Sequence, residues 1–583
     1  MSTAPRPSAS PPPISSGTPP SAPKNGGSKN GGSKNGGSKN GGSKKLVGPR
    51  AFKLFWDAHS VTGIFIGLGL FVIFYAGAFA LYRVELHMWA DPGMRPAAAA
   101  TVESRIGVDD IVAPFFAEAM PADTTDVLIS YPFRGRPYYF VRYQTPDGDT
   151  TRTVQAYVNA TTGETFDLPV GERVGRSALS EMLYSLHFFG QAGFWGELIA
   201  GFIAIFFMFA VVSGILIHLR KLPKDWHTFR PRGRLRDSLA DAHTVLGLIG
   251  LPFAAMYAIT GAFLALLIIL LAPTVIVVFD GDAEAIDATL NGFEMPAHEP
   301  TGVPAEMLSF SAIEDALPAS WDNVDPTLLY VHVWNDEAAI AQIYGAAPSS
   351  LTRSPQIILS ATTGEYLAGL DPARPTALGG TAAAITNLHY ALFGGGFVKV
   401  LYFFLALATA AVILTGNILW VLVRRPKDPR ATPRLHRILG RLTVGTGCGL
   451  VAAVPVLFLT TAALPIDLPD LKVWEHVALF GTWAVLAVAA FFGPSAVWAA
   501  RWQLALGGVL SLLVPVASGV LGGVWPWTAA ANGWWGLLTV DAGFLLMGPM
   551  LLWTAARLKP DALAPALAGD GTAGAPTPSL VAS

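Results

Sequence analysis

The sequence predicts a mainly α membrane protein: an eight-helix transmembrane bundle built from repeated helix pairs, with two α/β modules outside the membrane. Three observations predict it. Of 583 residues, 52% are apolar and only 14% charged, against roughly a quarter charged in an average soluble domain. Eight apolar runs each approach or exceed the ~20 residues needed to cross a bilayer. A histidine-bearing motif also recurs where successive runs begin.

The first 45 residues carry no apolar surface to bury. Pro, Ser and Gly dominate, and Lys24 to Ser43 repeat Lys-Asn-Gly-Gly-Ser, so this stretch reads as a flexible coil. The apolar runs follow near 58–83, 188–217, 244–278, 390–422, 438–464, 475–498, 503–524 and 535–556. Pro252 and Pro273 predict a kink or an early end in the third. Pro515 and Gly548-Pro549 are expected to interrupt the seventh and eighth. Basic residues fill the connections after spans two and four, Arg220 to Arg236 and Arg424 to Arg441, and recur at Arg501, Arg557 and Lys559. The positive-inside rule puts these connections and both termini in the cytoplasm.

Two long segments then lie on the opposite side. Alternating runs at 138–143 and 153–158, and again at 328–333, 339–344 and 356–359, read as strands. Each set closes on the same turn, Asn159-Ala-Thr-Thr-Gly-Glu164 and Ser360-Ala-Thr-Thr-Gly-Glu365. These readings divide the chain into a tail (1–50), span one (51–91), a first module (92–184), spans two and three (185–279), a second module (280–386), span four (387–430), a four-span extension (431–558) and a second tail (559–583).

The duplication reaches into the helices. Asp57-Ala-His59 opens span one and Asp241-Ala-His243 opens span three. Ser185-Leu-His187 starts span two and Asn387-Leu-His389 starts span four. A third, shorter copy carries His436 and His476. Of the 11 histidines, His59, His218, His243 and His436 fall at the cytoplasmic face, and His87, His187, His389 and His476 at the other. Intramembrane ionisable groups read as functional. Zinc is disfavoured, because no two histidines lie one helical turn apart. A b-type haem needs two imidazoles from different helices and small residues that admit a flat macrocycle. Gly63, Gly67, Gly69, Gly77, Gly214, Gly247, Gly250, Gly261 and Gly416 supply such residues. Two or more haems are expected, in two layers that make a transmembrane electron path. The leading pairs are His59 with His243 and His187 with His389; His436, His476, His218 and His87 rank second. A net charge of −2 gives no nucleic-acid footprint, and the single cysteine, Cys448, excludes a disulfide framework or a cysteine-ligated cluster.

In this order, the helix-opening His59 and His243, the paired His187 and His389, and the turns at Thr162-Gly163-Glu164 and Thr363-Gly364-Glu365 resemble the PepSY-associated transmembrane, or iron-regulated membrane, proteins. The resemblance covers about 50–430. It implies a bacterial inner-membrane protein with periplasmic PepSY-like modules and b-haem. The implied activity is that of a siderophore–iron reductase, an oxidoreductase acting on a ferric chelate. One departure is that His218 aligns with Trp420. No nucleotide-binding motif appears, so a quinol or a cytoplasmic reductase is the expected donor. The chelate is expected between the two modules, near Arg134, Arg136, Arg142, Trp334 or Tyr344. Two other classes remain open: a PepSY-based binding or anchoring protein without redox activity, and a siderophore transporter.

Overall fold

The computed structural model describes residues 48–96, 105–117, 126–133, 137–147, 150–167, 176–218, 229–230, 235–282, 285–286, 288–289, 292–346, 350–352, 355–370, 375–423 and 434–558. Both tails with the Lys-Asn-Gly-Gly-Ser repeat, most of the basic residues of the two loops, and Arg134 and Arg136 lie outside them.

In chain order the elements are α1 (Pro49–Ala80), α2 (Arg83–Ala90), α3 (Val108–Ala117), β1 (Asp126–Ser130), β2 (Tyr138–Asp147), β3 (Thr150–Asn159), β4 (Thr165–Asp167), α4 (Leu179–His187), α5 (Phe194–His218), α6 (Leu235–Ile249) and α7 (Leu251–Val278). They continue with α8 (Phe310–Asp315), β5 (Asp325–His332), β6 (Ile340–Ala346), β7 (Gln356–Ser360), β8 (Tyr366–Leu370), α9 (Ala377–His389) and α10 (Gly395–Val423). The remainder is α11 (Arg434–Ala463), α12 (Leu471–His476), a π-turn (Val477–Gly481), α13 (Thr482–Phe492), α14 (Ala496–Val520), α15 (Pro526–Ala531) and α16 (Trp535–Arg557).

Seven helical spans among the described residues are long and apolar enough to cross a membrane, and α6 with α7 makes an eighth if that bent pair counts as one. The bend is 69°. It falls at Gly250, just before Pro252 in the first turn of α7, where proline's missing N–H breaks the ladder. Pro273, Pro515 and Pro549, by contrast, sit inside continuous helices. Span one ends at Ala80, earlier than expected, and α2 follows as a separate short helix. The break between the sixth and seventh spans lies at Gly493-Pro494, earlier than Arg501 suggested. There Ser495 caps α14 by accepting from the Trp498 N–H at 3.1 Å.

The expected modules are not separate bodies. One antiparallel sheet runs β4-β3-β2-β1-β5-β6-β7-β8, and β1 pairs with β5 in the register Ile129↔Leu329 and Asp126↔His332. Two four-stranded copies thus meet through their first strands about a pseudo-two-fold axis. The turn after β3 and the turn after β7 are superposable in their bonds. Gly163 and Gly364 both have φ of 73°, which a side chain resists, and each donates its N–H at 2.9 Å, to Asn159 and Ser360 respectively. Alternate residues Val127, Ile129, Val141, Leu329, Val331 and Ile343 point to one face and are buried with residues of α3 and α8. The two modules between which a chelate was expected are therefore halves of one sheet. Trp334 stacks on Phe310 of α8 at 5.5 Å and packs against the sheet core.

In the bundle, α1 is central, packed against α4, α5, α10 and α11, while α14 packs between α11 and α16. The first two copies share the core with the extension through Phe79, which meets Phe403, Phe458 and Phe544. Two acids near the span ends have partners. Glu85 pairs with Lys399 at 2.5 Å, and Asp541 accepts from the Trp89 indole at 3.2 Å.

Beyond β5, Asp336 ties the segment at 301–302 to the sheet. Its carboxylate accepts from the N–H groups of Ala338 (2.9 Å), Thr301 (3.2 Å) and Gly302 (2.7 Å) and from the Thr301 hydroxyl (2.8 Å). These donors, Ala338 foremost, hold its pKa down at about 2. A depressed carboxyl stabilises the fold above its unfolded value of 3.8 and loses that contribution as pH falls through about 2. Asp336→Asn is therefore expected to lower the thermal midpoint at pH 7, with the gap to the parent protein narrowing between pH 4 and pH 2, as followed by tryptophan fluorescence. A gap that is constant with pH contradicts this.

Candidate functional site: two layers of paired histidines

Four histidines lie in two pairs at opposite ends of α1. At the end away from the sheet, His59 of α1 faces His243 of α6, with ring centres 6.1 Å apart. At the sheet end, His187 of α4 faces His389 of α9, with ring centres 5.9 Å apart. Gly77, which touches His187, is 18 residues beyond His59 on α1, so the layers are roughly 27 Å apart at 1.5 Å per residue.

Each ring is held from behind. His59 Nδ1 lies 2.8 Å from the Ala210 carbonyl, His243 Nδ1 2.8 Å from the Val412 carbonyl, and His187 Nδ1 2.7 Å from the Ile73 carbonyl. A carbonyl only accepts, so in these neutral rings Nδ1 carries the proton and Nε2 keeps a bare lone pair. His389 Nδ1 lies 3.0 Å from the Thr260 hydroxyl, which already donates to the Met256 carbonyl at 2.9 Å. Its oxygen therefore accepts here too. The Tyr257 hydroxyl fixes the same helix end by donating to the His389 carbonyl at 2.8 Å.

The repeat explains the symmetry. One offset carries His59 to His243 and Gly77 to Gly261; another carries His187 to His389, Ala210 to Val412 and Gly214 to Gly416. Four of the glycines singled out above approach a histidine. A Cβ on Gly416 would stand 2.9 Å from His243 Cε1, one on Gly214 3.3 Å from His59, one on Gly77 2.6 Å from His187 Nδ1, and one on Gly261 3.6 Å from His389. Gly67 and Gly69 instead admit Asn417 and Ile203.

Between the helices at the far layer lies a cavity of about 440 Å³, the size class that holds small cofactors. His59 and His243 line it with Gly63, Gly214, Gly247 and Gly416, and His218, Arg236 and Trp420 also reach it. Two imidazole nitrogens at about 2 Å from one metal centre put the ring centres about 6 Å apart. Both pairs have that spacing, and the donor set fits a bis-imidazole haem.

The second-rank histidines stand differently. His218 joins the far cavity. His436 stacks on Trp420 at 5.2 Å, with neither ring nitrogen hydrogen-bonded. His87 lies buried with Nε2 3.5 Å from Glu181. His476 is exposed, its Nδ1 2.7 Å from the Lys472 carbonyl. Among the described residues, ring contact brings no second histidine to His87, His436 or His476. Sequence reasoning missed Thr260 and the three carbonyls. Thr260 gave a weak signal as the polar residue standing where the first copy has Ala76; backbone acceptors gave none.

Residues 56–422 match the PepSY-associated TM region. The chain belongs to that family. It is also 27% identical over 406 residues to an uncharacterized protein of Pseudomonas aeruginosa, spanning 67% of this chain and 98% of that one. The extension from α11 onward lies outside the family match.

The close approach of Gly77 is testable without a cofactor. The His187 ring is anchored on Ile73 and cannot yield freely, so Gly77→Ala is expected to cost about 1–3 kcal/mol in denaturant unfolding in detergent. Gly247→Ala meets nothing nearer than 3.8 Å and is expected to be neutral or stabilising by up to about 1 kcal/mol. Equal behaviour of the two variants contradicts the packing argument.

Proposed function

We propose that this PepSY-family membrane protein holds two b-type haems, one between His59 and His243 and one between His187 and His389, and passes electrons across a bacterial inner membrane to a ferric chelate. The observation that carries the reading is the repeated geometry: two imidazole pairs near 6 Å, each ring with Nδ1 occupied and Nε2 bare. Bound haem iron supplies one-electron transfer between ferric and ferrous states.

The residues between the layers suit that task. Phe207 lines the far cavity and meets Phe74 at 5.3 Å; Phe74 meets Tyr257 at 6.0 Å, and Tyr257 meets His389 at 4.9 Å. A continuous aromatic path thus joins the two ends. A neutral imidazole whose Nδ1 proton is held by an acceptor is the form that ligates a metal.

Orientation follows from charge. Arg50, Lys53, Arg236, Arg434, Arg437 and Arg557 all lie at helix ends away from the sheet, which supports cytoplasmic termini and a periplasmic sheet. The ferric chelate, a siderophore or similar complex, then meets the His187/His389 layer. Each two-electron donor molecule, a membrane quinol or a cytoplasmic reductase, reduces two ferric ions to ferrous, and a quinol releases two protons as it does so.

His59→Ala and His187→Ala are each expected to remove one of two haem signals in the visible spectrum, because a bis-imidazole site that loses a ligand changes spin state or loses its cofactor. Unchanged spectra and haem content in both variants contradict the assignment. Dithionite-reduced wild type is expected to be reoxidised by a ferric siderophore during rapid mixing. A chain with haem that no ferric chelate reoxidises would instead be a relay to a partner, and a chain without haem would favour the binding or anchoring reading.

A further inference from the structure

We infer that Glu475, from the extension outside the family match, is a positioning residue for His187. The inference rests on the haem reading and adds to it a function for the third copy of the repeat. Glu475 is fully buried, and a carboxylate taken wholly out of water persists only where donors saturate it. Here they do. One oxygen accepts from the Ser177 hydroxyl at 2.5 Å and the Thr461 hydroxyl at 2.8 Å, and the other from the Ala178 N–H at 2.6 Å.

Ser177 and Ala178 are the two residues immediately before α4, the nine-residue helix that ends at His187. Ala178 occupies the N-cap and has no side chain to cap with. The Ser177 hydroxyl accepts from the Leu179 N–H at 3.1 Å, and the extension adds an acceptor for the Ala178 N–H from 297 residues away; a carboxylate there suits a helix N-terminus. A second clamp stands beside it. The Arg176 guanidinium bonds Asp91 at 2.6 Å and, from the α11–α12 connection, Asp467 at 2.8 Å.

The repeat shows why a carboxylate here is informative. In the first two copies the residue before the histidine is Leu186 or Leu388; in the third it is Glu475. The third-copy histidine, His476, is exposed, and the residue before it carries the inward contact. Leucine would satisfy packing alone, whereas Glu475 binds the start of another copy's histidine helix. From Ala178 to His187 is roughly 14 Å of helix. A tilt at the start of α4 therefore moves the imidazole relative to both the Ile73 carbonyl and His389.

Glu475→Gln is the direct test, since an amide keeps the volume but turns one acceptor into a donor facing groups that need acceptors. Ser177→Ala is the second variant should that protein fold poorly. Full-length proteins are purified, their visible spectra are followed through a redox titration, and amide exchange is read over 176–187. In either variant we expect one haem component, the one lost in His187→Ala, to shift in midpoint potential or gain high-spin character. The component lost in His59→Ala is expected to stay unchanged. Exchange over the first turn of α4 should quicken about tenfold, the equivalent of one buried hydrogen bond. Unchanged potentials and spectra overturn the positioning role, as does an equal shift of both components, which would mark general destabilisation. A haem-free wild type overturns the cofactor reading. The exchange arm distinguishes that failure, because it reads the α4 clamp with or without cofactor.

Discussion

The hydrogen bond from each histidine Nδ1 to an oxygen on a neighbouring helix is the constraint on which the rest of the site depends. It fixes the ring plane, sets the tautomer and leaves Nε2 with a bare lone pair. Ala210, Val412 and Ile73 can serve as acceptors only because the helix ladder spares one lone pair of each carbonyl, and only because Gly214, Gly416 and Gly77 let the imidazole come close. The small residues and the histidines therefore form one device. Replacing either side alone leaves a buried polar atom or a clash.

Duplication builds that device twice, and the two halves are interdependent. His59 of the first copy faces His243 of the second, and His187 faces His389 likewise, so neither copy makes a pair alone. The sheet follows the same rule, with β1 and β5 from different copies pairing at its centre. The third copy has kept the helix pair and the histidines but not the pairing. His436 rests on Trp420, and the contribution of its second helix is the carboxylate of Glu475 at the start of α4.

Much of this was legible in the sequence, for physical reasons. Long apolar runs located the spans, period-two runs located β2, β3, β5, β6 and β7, and the repeated motifs singled out the histidines that stand in ring contact. What escaped it was non-local. β1 is a short Asp-Val-Leu-Ile-Ser segment whose identity as a strand comes from its partners, so the merging of two modules into one sheet left no local trace. Pro515 and Pro549 carry no visible tolerance of their own; the packed bundle keeps their helices continuous. Arg501 looked like a loop residue, yet it sits in the second turn of α14, where a long side chain reaches the membrane surface. Backbone acceptors have no letter in a sequence, and Glu475 resembled an ordinary acid at a span end.

The central claim is that each pair of imidazoles clasps one iron. Electron paramagnetic resonance of the oxidised, purified full-length chain, with haem content measured on the same sample, tests it most directly. The account predicts two haems per chain, both low-spin with two imidazole ligands. A sample without haem, or one whose iron is high-spin with a single protein ligand, would contradict it.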